Sequence, residues 1–485
     1  MKIVERVARV DQSKCVGCKN CERHCPTDAI KVTPGVMPGY VPPCGTACPA
    51  GTDVQGYIAL AGAGRYEDAY RLIRQSNPFP SVCGRICNHP CQAACNRNDL
   101  DESVGIRDIK RFVADKAFEN GMPVVEKKRK SNGKKIAVIG AGPSGLSCAY
   151  YLQLSGYSVE VFESESVAGG VLAYGIPEYR LPKAVLNRDI QAIEATGVQI
   201  HLNTTVGEDV SFDELYKKFH AVYVSTGTQL SRKANIPGED MPGVYHGLDF
   251  LKAVNLGKPV EIGKKVAVIG GGNVAMDVVR TAVRLGAEEA YIVYRRSEDE
   301  MPADKEEVAE AMAEGVKFCY LNAPVEITGT AAGKVNGLKV EIMELGEPDE
   351  KGRRKPVGTG KFKTIKVNSV IGAIGQTIDW GELDVGALKT ATKGVAMADP
   401  VTLQTAQEDI FVGGDCYTGP KFAIDAIAAG REGAISLHRY VQPGQSLTLA
   451  RNPRDFYELD KDNVVIDINC FDAPVRQEVK HDPRK

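Results

Sequence analysis

Ten of the 14 cysteines fall within the first 95 residues, at short fixed spacings. Cys15, Cys18, Cys21 and Cys25 form C-x2-C-x2-C-x3-C, closed by Pro26. This is the spacing of bacterial ferredoxins: the close thiolates wrap one face of a cubane, and the fourth reaches back or elsewhere. Zinc is the weaker reading, because its sites usually come as separated CxxC pairs. Six more follow, Cys44, Cys48, Cys83, Cys87, Cys91 and Cys95, in CGTACP and CGRICNHPCQAACNR. In a reducing compartment such density argues for metal rather than disulfides. Cys148, Cys319, Cys416 and Cys470 stand singly and read as small buried hydrophobes.

A second chemistry lies in two glycine loops. Gly140-Ala-Gly142-Pro-Ser-Gly145 follows an apolar strand at 134–139 and precedes a helix at 146–154. Gly140 makes the turn, Gly142 lets the backbone approach a pyrophosphate, and Gly145 lets helix pack on strand. The helix N-terminus offers free N–H groups and a positive dipole end. Glu163 closes the next strand, where its carboxylate can accept a hydrogen bond from a ribose hydroxyl. The second loop, Gly270-Gly-Gly272-Asn273-Val-Ala275, is a G-x-G-x-x-A turn inside a similar unit at 264–297. After its second strand comes Arg295-Arg296 in place of an acid. Guanidiniums favour a 2′-phosphate, so NADPH is expected over NADH. The alternative is that one arginine pairs with Glu298, Asp299 or Glu300. Further on, a strand ending in Gly414-Asp415 precedes a helix with a free N-terminus. That arrangement suits the flavin end of FAD: the carboxylate bonds ribityl hydroxyls and the dipole stabilises the reduced ring. Asp415 as an ordinary helix cap is the bland alternative.

At 485 residues, the chain is long enough for about three domains. The predicted fold class is α/β. Two Rossmann-type dinucleotide-binding domains are expected, with the NADPH domain inserted in a split FAD domain. A small α-helical iron–sulfur domain and a ferredoxin-like segment precede them. The expected divisions are 1–40 (ferredoxin-like), 41–125 (helical iron–sulfur), 126–257 (FAD, first part), 258–370 (NADPH), 371–445 (FAD, second part) and 446–485 (a charged tail). In the helical domain, apolar positions at Tyr57, Leu60, Tyr66, Ala69, Leu72 and Ile73 predict one helix over 54–75, and another is expected over 107–118. A linker at 121–133 carries Lys127 to Lys130 as a solvated turn.

Hydrophobic residues are 43% of the chain, charged residues 25%, and the net charge is −2. That balance gives no electrostatic case for nucleic-acid or membrane-surface binding. No apolar run approaches a bilayer span, and MKIVERVARV lacks the make-up of a signal peptide, so a cytoplasmic location is expected.

From about residue 43 to 441 the chain resembles the small (β) subunit of NADPH-dependent glutamate synthase. It equally resembles the N-terminal half of dihydropyrimidine dehydrogenase and the large subunit of electron-bifurcating NADH-dependent ferredoxin:NADP oxidoreductase. The stretches that carry the likeness are CGTACPAGTDVQGYI, NPFPSVCGRICNHPCQAAC, GAGPSGL, GGVLAYGIPEYRLP, GGGNVAMDVVR, YRRSEDEMPADKEEVAEAMAEGVKF and VGGDC, in the family's order. The resemblance implies FAD on Gly140, Gly142, Ser144, Gly145, Glu163, Gly170, Leu172, Arg180, Thr226, Gly414, Asp415 and Ala423. It implies NADPH on Gly272, Asn273, Ala275, Arg295 and Arg296, with Gly270 making the turn. It also implies one cluster on Cys48, Cys87, Cys91 and a non-cysteine ligand, and another on Cys44 and Cys95 with a cysteine pair that residues 31–43 lack. Cys83 or an N-terminal thiol such as Cys25 is the candidate to complete it. Two or three [4Fe–4S] clusters are therefore expected.

These parts dictate a reaction type. NADPH exchanges a hydride, the clusters carry single electrons, and FAD converts between the two. Hydride transfer between stacked rings needs no acid–base residue, so no catalytic side chain is assigned. The leading expectation is an electron-transfer flavoprotein subunit that serves a catalytic partner subunit or ferredoxin. Rivals are a self-contained NADPH:ferredoxin or small-molecule reductase, a bifurcating flavoprotein subunit, and an iron–sulfur scaffold without turnover. A thioredoxin-reductase-like enzyme needs a CxxC near the flavin, and none follows Cys21.

Overall fold

A computed structural model describes residues 42–119, 121, 126–348, 354–383, 388, 394–449 and 451. Cys15, Cys18, Cys21, Cys25 and Cys470, with most of the 446–485 tail, lie outside the described residues.

Two five-stranded, all-parallel sheets make the frame. In the first, the strands run in the order Ile410–Val412, Ala221–Val224, Lys135–Ile139, Ser158–Phe162, Gln199–His201. In the second the order is Val244–His246, Ser369–Gly372, Lys265–Ile269, Glu289–Tyr294, Lys317–Tyr320. The central strands KIAVI and KVAVI are buried after their first residue, as expected where helices cover both faces of a parallel sheet. Helix Pro143–Leu154 begins three residues earlier than the sequence suggests, because Pro143 sits at its first position. It packs along the 19-residue helix Ala423–Val441. A Cβ at Gly430 would lie 2.1 Å from the Ser144 carbonyl oxygen, so small residues bring the two helices together.

The sheets correct two expected divisions. Val244–His246 and Ser369–Gly372 both belong to the second sheet, so it begins before residue 258 and continues past 370. The chain crosses between the domains at a short antiparallel ribbon, Leu230–Ser231 against Gln376–Thr377. An antiparallel sheet of Asn322–Gly329, Val335–Pro348 and Arg354–Ile365, absent from the sequence reading, extends the second domain.

In the helical domain the expected 54–75 helix is two, Val54–Gly62 and Tyr66–Arg74. They break at Gly64, whose φ of +74° suits a residue without a Cβ. With helix Ile106–Glu119 they enclose Tyr57, Tyr70, Ile73, Ile106 and Val113. Phe79, Val82, Cys83 and Cys87 join the core of the first Rossmann domain beside Leu186 and Ile190, so the two domains share apolar packing. There Asp189, fully buried, accepts from the N–H groups of Ser81 and Val82 at 3.0 and 3.1 Å, holding the start of helix Pro80–Ile86. Lys127 to Lys130 are exposed but form no turn: Lys128 Nζ donates to the Thr196 carbonyl and Arg129 N–H to that of Leu154. Among the described residues no helix is long and apolar enough to cross a membrane.

Candidate functional site

Parallel strands end at the same edge of a sheet, so the turns after the first strand of each Rossmann unit open toward one side. Here the two edges face each other across one continuous cleft of about 1290 Å³. Both glycine loops line it. On the first-domain side are Gly140, Gly142, Ser144, Glu163, Gly170, Leu172, Arg180, Thr226, Gly414, Asp415 and Ala423; on the second are Gly270, Gly272, Asn273 and Arg295. Of the expected dinucleotide residues, Gly145, Ala275 and Arg296 are not among the lining. The first two lie beneath the loops: a Cβ at Gly145 would meet the Gly140 carbonyl at 2.0 Å, and Ala275 is fully buried.

The loops have the shape of a phosphate cradle. Helices Pro143–Leu154 and Asn273–Arg284 start at Gly142 and Gly272, and neither has a side-chain cap, so their first N–H groups are left for another partner. A Cβ at Gly142 or Gly272 would meet no chain atom within 4 Å, although both residues face the cleft. Gly170, at φ +57°, brings the next loop so close that its Cβ would sit 2.9 Å from the Gly142 Cα. The residues present therefore fit a dinucleotide at each loop.

Glu163 is buried at the strand end, with Oε2 accepting from Ala141 N–H at 2.7 Å and Oε1 from Glu165 N–H at 3.0 Å. Burial raises its carboxyl above the ordinary range, against the pull of those N–H groups. Asp415 is the first residue of a short helix whose cap position is Gly414, and its Oδ1 accepts from Lys421 N–H at 3.2 Å. Its side chain does not cap that helix, and the carboxylate faces the cleft. Helix Ala423–Val441 points its own uncapped N-terminus at the same place.

Burial pushes the Asp415 carboxyl up to about 6, more than Lys421 N–H lowers it. A carboxyl raised in the folded state carries no penalty at a pH below its ordinary value of 3.8; the penalty grows as pH rises and is complete above about 6. Asp415→Asn is therefore expected to stabilise the flavin-free chain by on the order of 2 kcal/mol at neutral pH and by nothing near pH 4. Thermal unfolding of both chains across that range checks it; a gap independent of pH would contradict it.

On the second side, the Asn273 side chain accepts from Asp304 N–H at 2.8 Å and pins the segment after Arg296 to the glycine loop. Arg295 is exposed at the cleft. Arg296 buries an Nε with no partner among the described residues. Neither guanidinium is held by an acid there, and Glu300 is taken by Arg354 at 2.6 Å and by Ser297. Arg180 lines the cleft, but its guanidinium bonds both oxygens of Asp277 at 2.8 Å and Glu307 at 2.6 Å, across the domain boundary. Burial raises both acids, Glu307 to about 7. Sequence reasoning missed these two acids, which lie 97 or more positions from Arg180.

The cysteines fall into two neighbourhoods. Cys48, Cys83, Cys87 and Cys91 all feel the ammonium of Lys110, and Cys83 and Cys91 each feel Cys48 and Cys87. Cys44 feels Cys95 and Asp53. Burial pushes Cys91 up to about 12 and raises Cys83 and Cys87. At Cys48 burial acts the same way, but Lys110 and the contact with Thr52 outweigh it and hold the thiol below its ordinary value. Among the described residues no three Cys, His, Asp or Glu side chains converge on one point as ligands of a single ion would. A cubane spreads its ligands over several irons, so the wider spacing is compatible with a cluster. Ile86, next to Cys87, lines the dinucleotide cleft, so this neighbourhood adjoins it.

Two glycine loops facing one cleft, with a thiol-lined helical domain at its margin, define an oxidoreductase with two dinucleotide sites and attached iron–sulfur sites. Profiles of known families bear this out. Residues 134–430 match the pyridine nucleotide-disulphide oxidoreductases, 37–122 the 4Fe–4S domain II of dihydropyrimidine dehydrogenase, and 8–31 a 4Fe–4S binding domain. Over 434 residues the chain is 42% identical to the NADP(+)-dependent formate dehydrogenase subunit beta of Moorella thermoacetica, covering 84% of this chain and 61% of that one. It is 39% identical to the NADPH-Fe(3+) oxidoreductase subunit beta of Geobacter sulfurreducens, covering 84% and 65%. With the glutamate synthase [NADPH] small chain of Escherichia coli it shares 37% identity over 83% of this chain and 89% of that one. FprA of Mycobacterium tuberculosis in complex with NADPH, at 21% identity and a TM-score of 0.55 over 64% of this chain and 84% of that one, has the same fold.

The chain belongs to the pyridine nucleotide-disulphide oxidoreductase family, alongside the glutamate synthase small chain. Its matched profiles are those of a pyridine nucleotide-disulphide oxidoreductase and of 4Fe–4S binding domains. It spans less than two thirds of the length of the Moorella and Geobacter relatives.

Proposed function

We propose that this chain is the NADPH-linked flavoprotein subunit of a larger cytoplasmic complex, passing electrons between NADPH, FAD and [4Fe–4S] clusters to or from a catalytic partner subunit or ferredoxin. The observation that carries the reading is the single cleft shared by both glycine loops and bordered by the Cys87 segment. The relatives are named as beta subunits or small chains, which supports a partner.

FAD supplies the exchange between hydride and single-electron chemistry. The chain's residues do the rest. The uncapped N–H groups after Gly142 and Gly272 bind the two pyrophosphates. Glu163 accepts from a ribose hydroxyl, and Asp415 from the ribityl chain. Arg295 and Arg296 take the 2′-phosphate bidentately. The Arg180 pair with Asp277 and Glu307 ties the two domains together across the cleft. Cys48, Cys87 and Cys91 would hold one cluster, and Cys44 and Cys95 would take part in the next.

Under anaerobic conditions, one equivalent of NADPH should bleach the bound flavin, and a viologen dye should then be reduced by the same chain. NADH should act at least tenfold more weakly. A flavin that NADPH leaves oxidised would overturn the reading in favour of a scaffold without turnover.

A further inference from the structure

Among the described residues three cationic residues are buried as a whole: Arg74 at 1% exposure, Arg280 at 3% and Lys110 at 5%. Two of them have carboxylates at hand. Arg74 meets Glu126 at 2.7 Å, and Arg280 meets Glu307, Glu310 and Glu314 at 2.6–2.9 Å. Lys110 has none. Its surroundings are the Tyr57 ring, 5.8 Å from Nζ, helix Pro80–Ile86 with Cys83, which packs against its own helix, and the core that holds Cys91; its ammonium also acts on Cys48 and Cys87 electrostatically. Of the three acids on its own helix, Asp108 forms no ion pair with it, Asp115 is held by Arg85 at 2.8 Å, and Glu119 by Lys116 at 2.6 Å. The Tyr57 hydroxyl donates to the Ile106 carbonyl at 3.0 Å. Helix Ile106–Glu119 is fixed in place beside the thiols, since a Cβ at Gly84 would lie 2.7 Å from the Arg111 backbone.

An ammonium taken out of water without an anion is costly, and neutral thiols and a phenol do not compensate it. Thiolates around an iron–sulfur centre do, because that assembly carries net negative charge. We propose that Lys110 is the built-in counter-charge of the centre held by Cys48, Cys87 and Cys91, and that it makes this centre the ready first acceptor of electrons leaving the flavin. The proposal rests on the electron-transfer reading above. The step it governs is one electron passing from reduced flavin to the thiolate-held centre. The flavin is oxidised by one electron and the centre reduced by one; no covalent bond changes, and the centre's charge grows by one negative unit, which Lys110 offsets. A protonated amine has no lone pair for iron, so on this assignment Lys110 is not the non-cysteine ligand that the family resemblance implies.

The test uses the full chain, purified anaerobically with flavin and clusters in place, as parent, Lys110→Met and Lys110→Arg. Iron, sulfide and flavin are counted per chain, and the cluster signals are followed by electron paramagnetic resonance during a redox titration. One unit charge several Å away at an effective dielectric of about 20 predicts roughly a hundredfold change in the reduced-to-oxidised ratio. In Lys110→Met one cluster should titrate about a hundredfold less reduced at the parent's midpoint, about 120 mV lower at 59 mV per decade. Lys110→Arg should stay near the parent. Loss of that cluster from the methionine chain but not from the arginine chain is the stronger form of the same result. A methionine chain with full iron content and an unmoved titration would overturn the proposal, as would equal loss of the cluster from both variants, which would make Lys110 a ligand or a packing residue. If the parent itself shows no cluster that NADPH reduces, it is the electron-transfer reading that has failed.

Discussion

Gly142→Val is expected to give a chain that folds and is nearly colourless. Gly142 has an extended backbone, φ −74° and ψ 178°, which any residue adopts, and a Cβ there would meet no chain atom within 4 Å. The added side chain enters only the open space at the cleft that the proposed reading gives to the pyrophosphate. Gly145→Val should behave differently. Its Cβ would sit 2.0 Å from the Gly140 carbonyl and 2.6 Å from Ser225 Oγ, so the helix must leave the strand. Overpacking of that kind costs about 1–3 kcal/mol and more where backbone is the obstacle. Flavin per chain should fall at least tenfold in both variants. The melting temperature of the flavin-free chain should drop only in Gly145→Val. A Gly142→Val chain that keeps its flavin would place the dinucleotide elsewhere.

Replacing Arg295 and Arg296 together by alanine should raise the KM for NADPH about a hundredfold or more and leave that for NADH nearly unchanged. Each charge-assisted hydrogen bond to a phosphate contributes about 1.5–3 kcal/mol. No acid among the described residues competes for these guanidiniums, and that of Arg295 faces the cleft. Arg295 is at the cleft, so Arg295→Ala alone should account for the larger share. Steady-state rates of dye reduction with each nucleotide measure the effect. An equal loss with NADPH and NADH would show that the pair reads the shared part of the nucleotide or only supports the fold.

The dinucleotide frame was legible because it is local. Strand, glycine turn and helix follow within thirty residues, and a strand buried on both faces must be continuously apolar. What escaped depends on distance or on small residues. The antiparallel sheet over 322–365 alternates buried and exposed positions weakly and is interrupted by Gly346, Pro356 and Gly358, so its periodicity is faint. The long helix Ala423–Val441 packs through Gly430 and Gly433, which carry no hydrophobic signal. The break at Gly64 is a single glycine inside an amphipathic pattern. Arg180 was assigned to FAD through a family likeness, while its Asp277 and Glu307 partners arrive only when two domains meet. Lys110 sits at an ordinary helical position in KRFVADK. Nothing in the spacing shows that it turns inward among thiols, because lysine is rarely buried without a partner.

The claim on which the account depends is that one cleft feeds the thiol-held clusters. Rapid mixing of the anaerobic holo-chain with NADPH, freeze-quenched and read by electron paramagnetic resonance, tests it directly. Iron–sulfur signals should appear after flavin bleaching and at least as fast as the chain turns over a one-electron dye. Complete flavin bleaching with the iron–sulfur centres still silent on that timescale would contradict it.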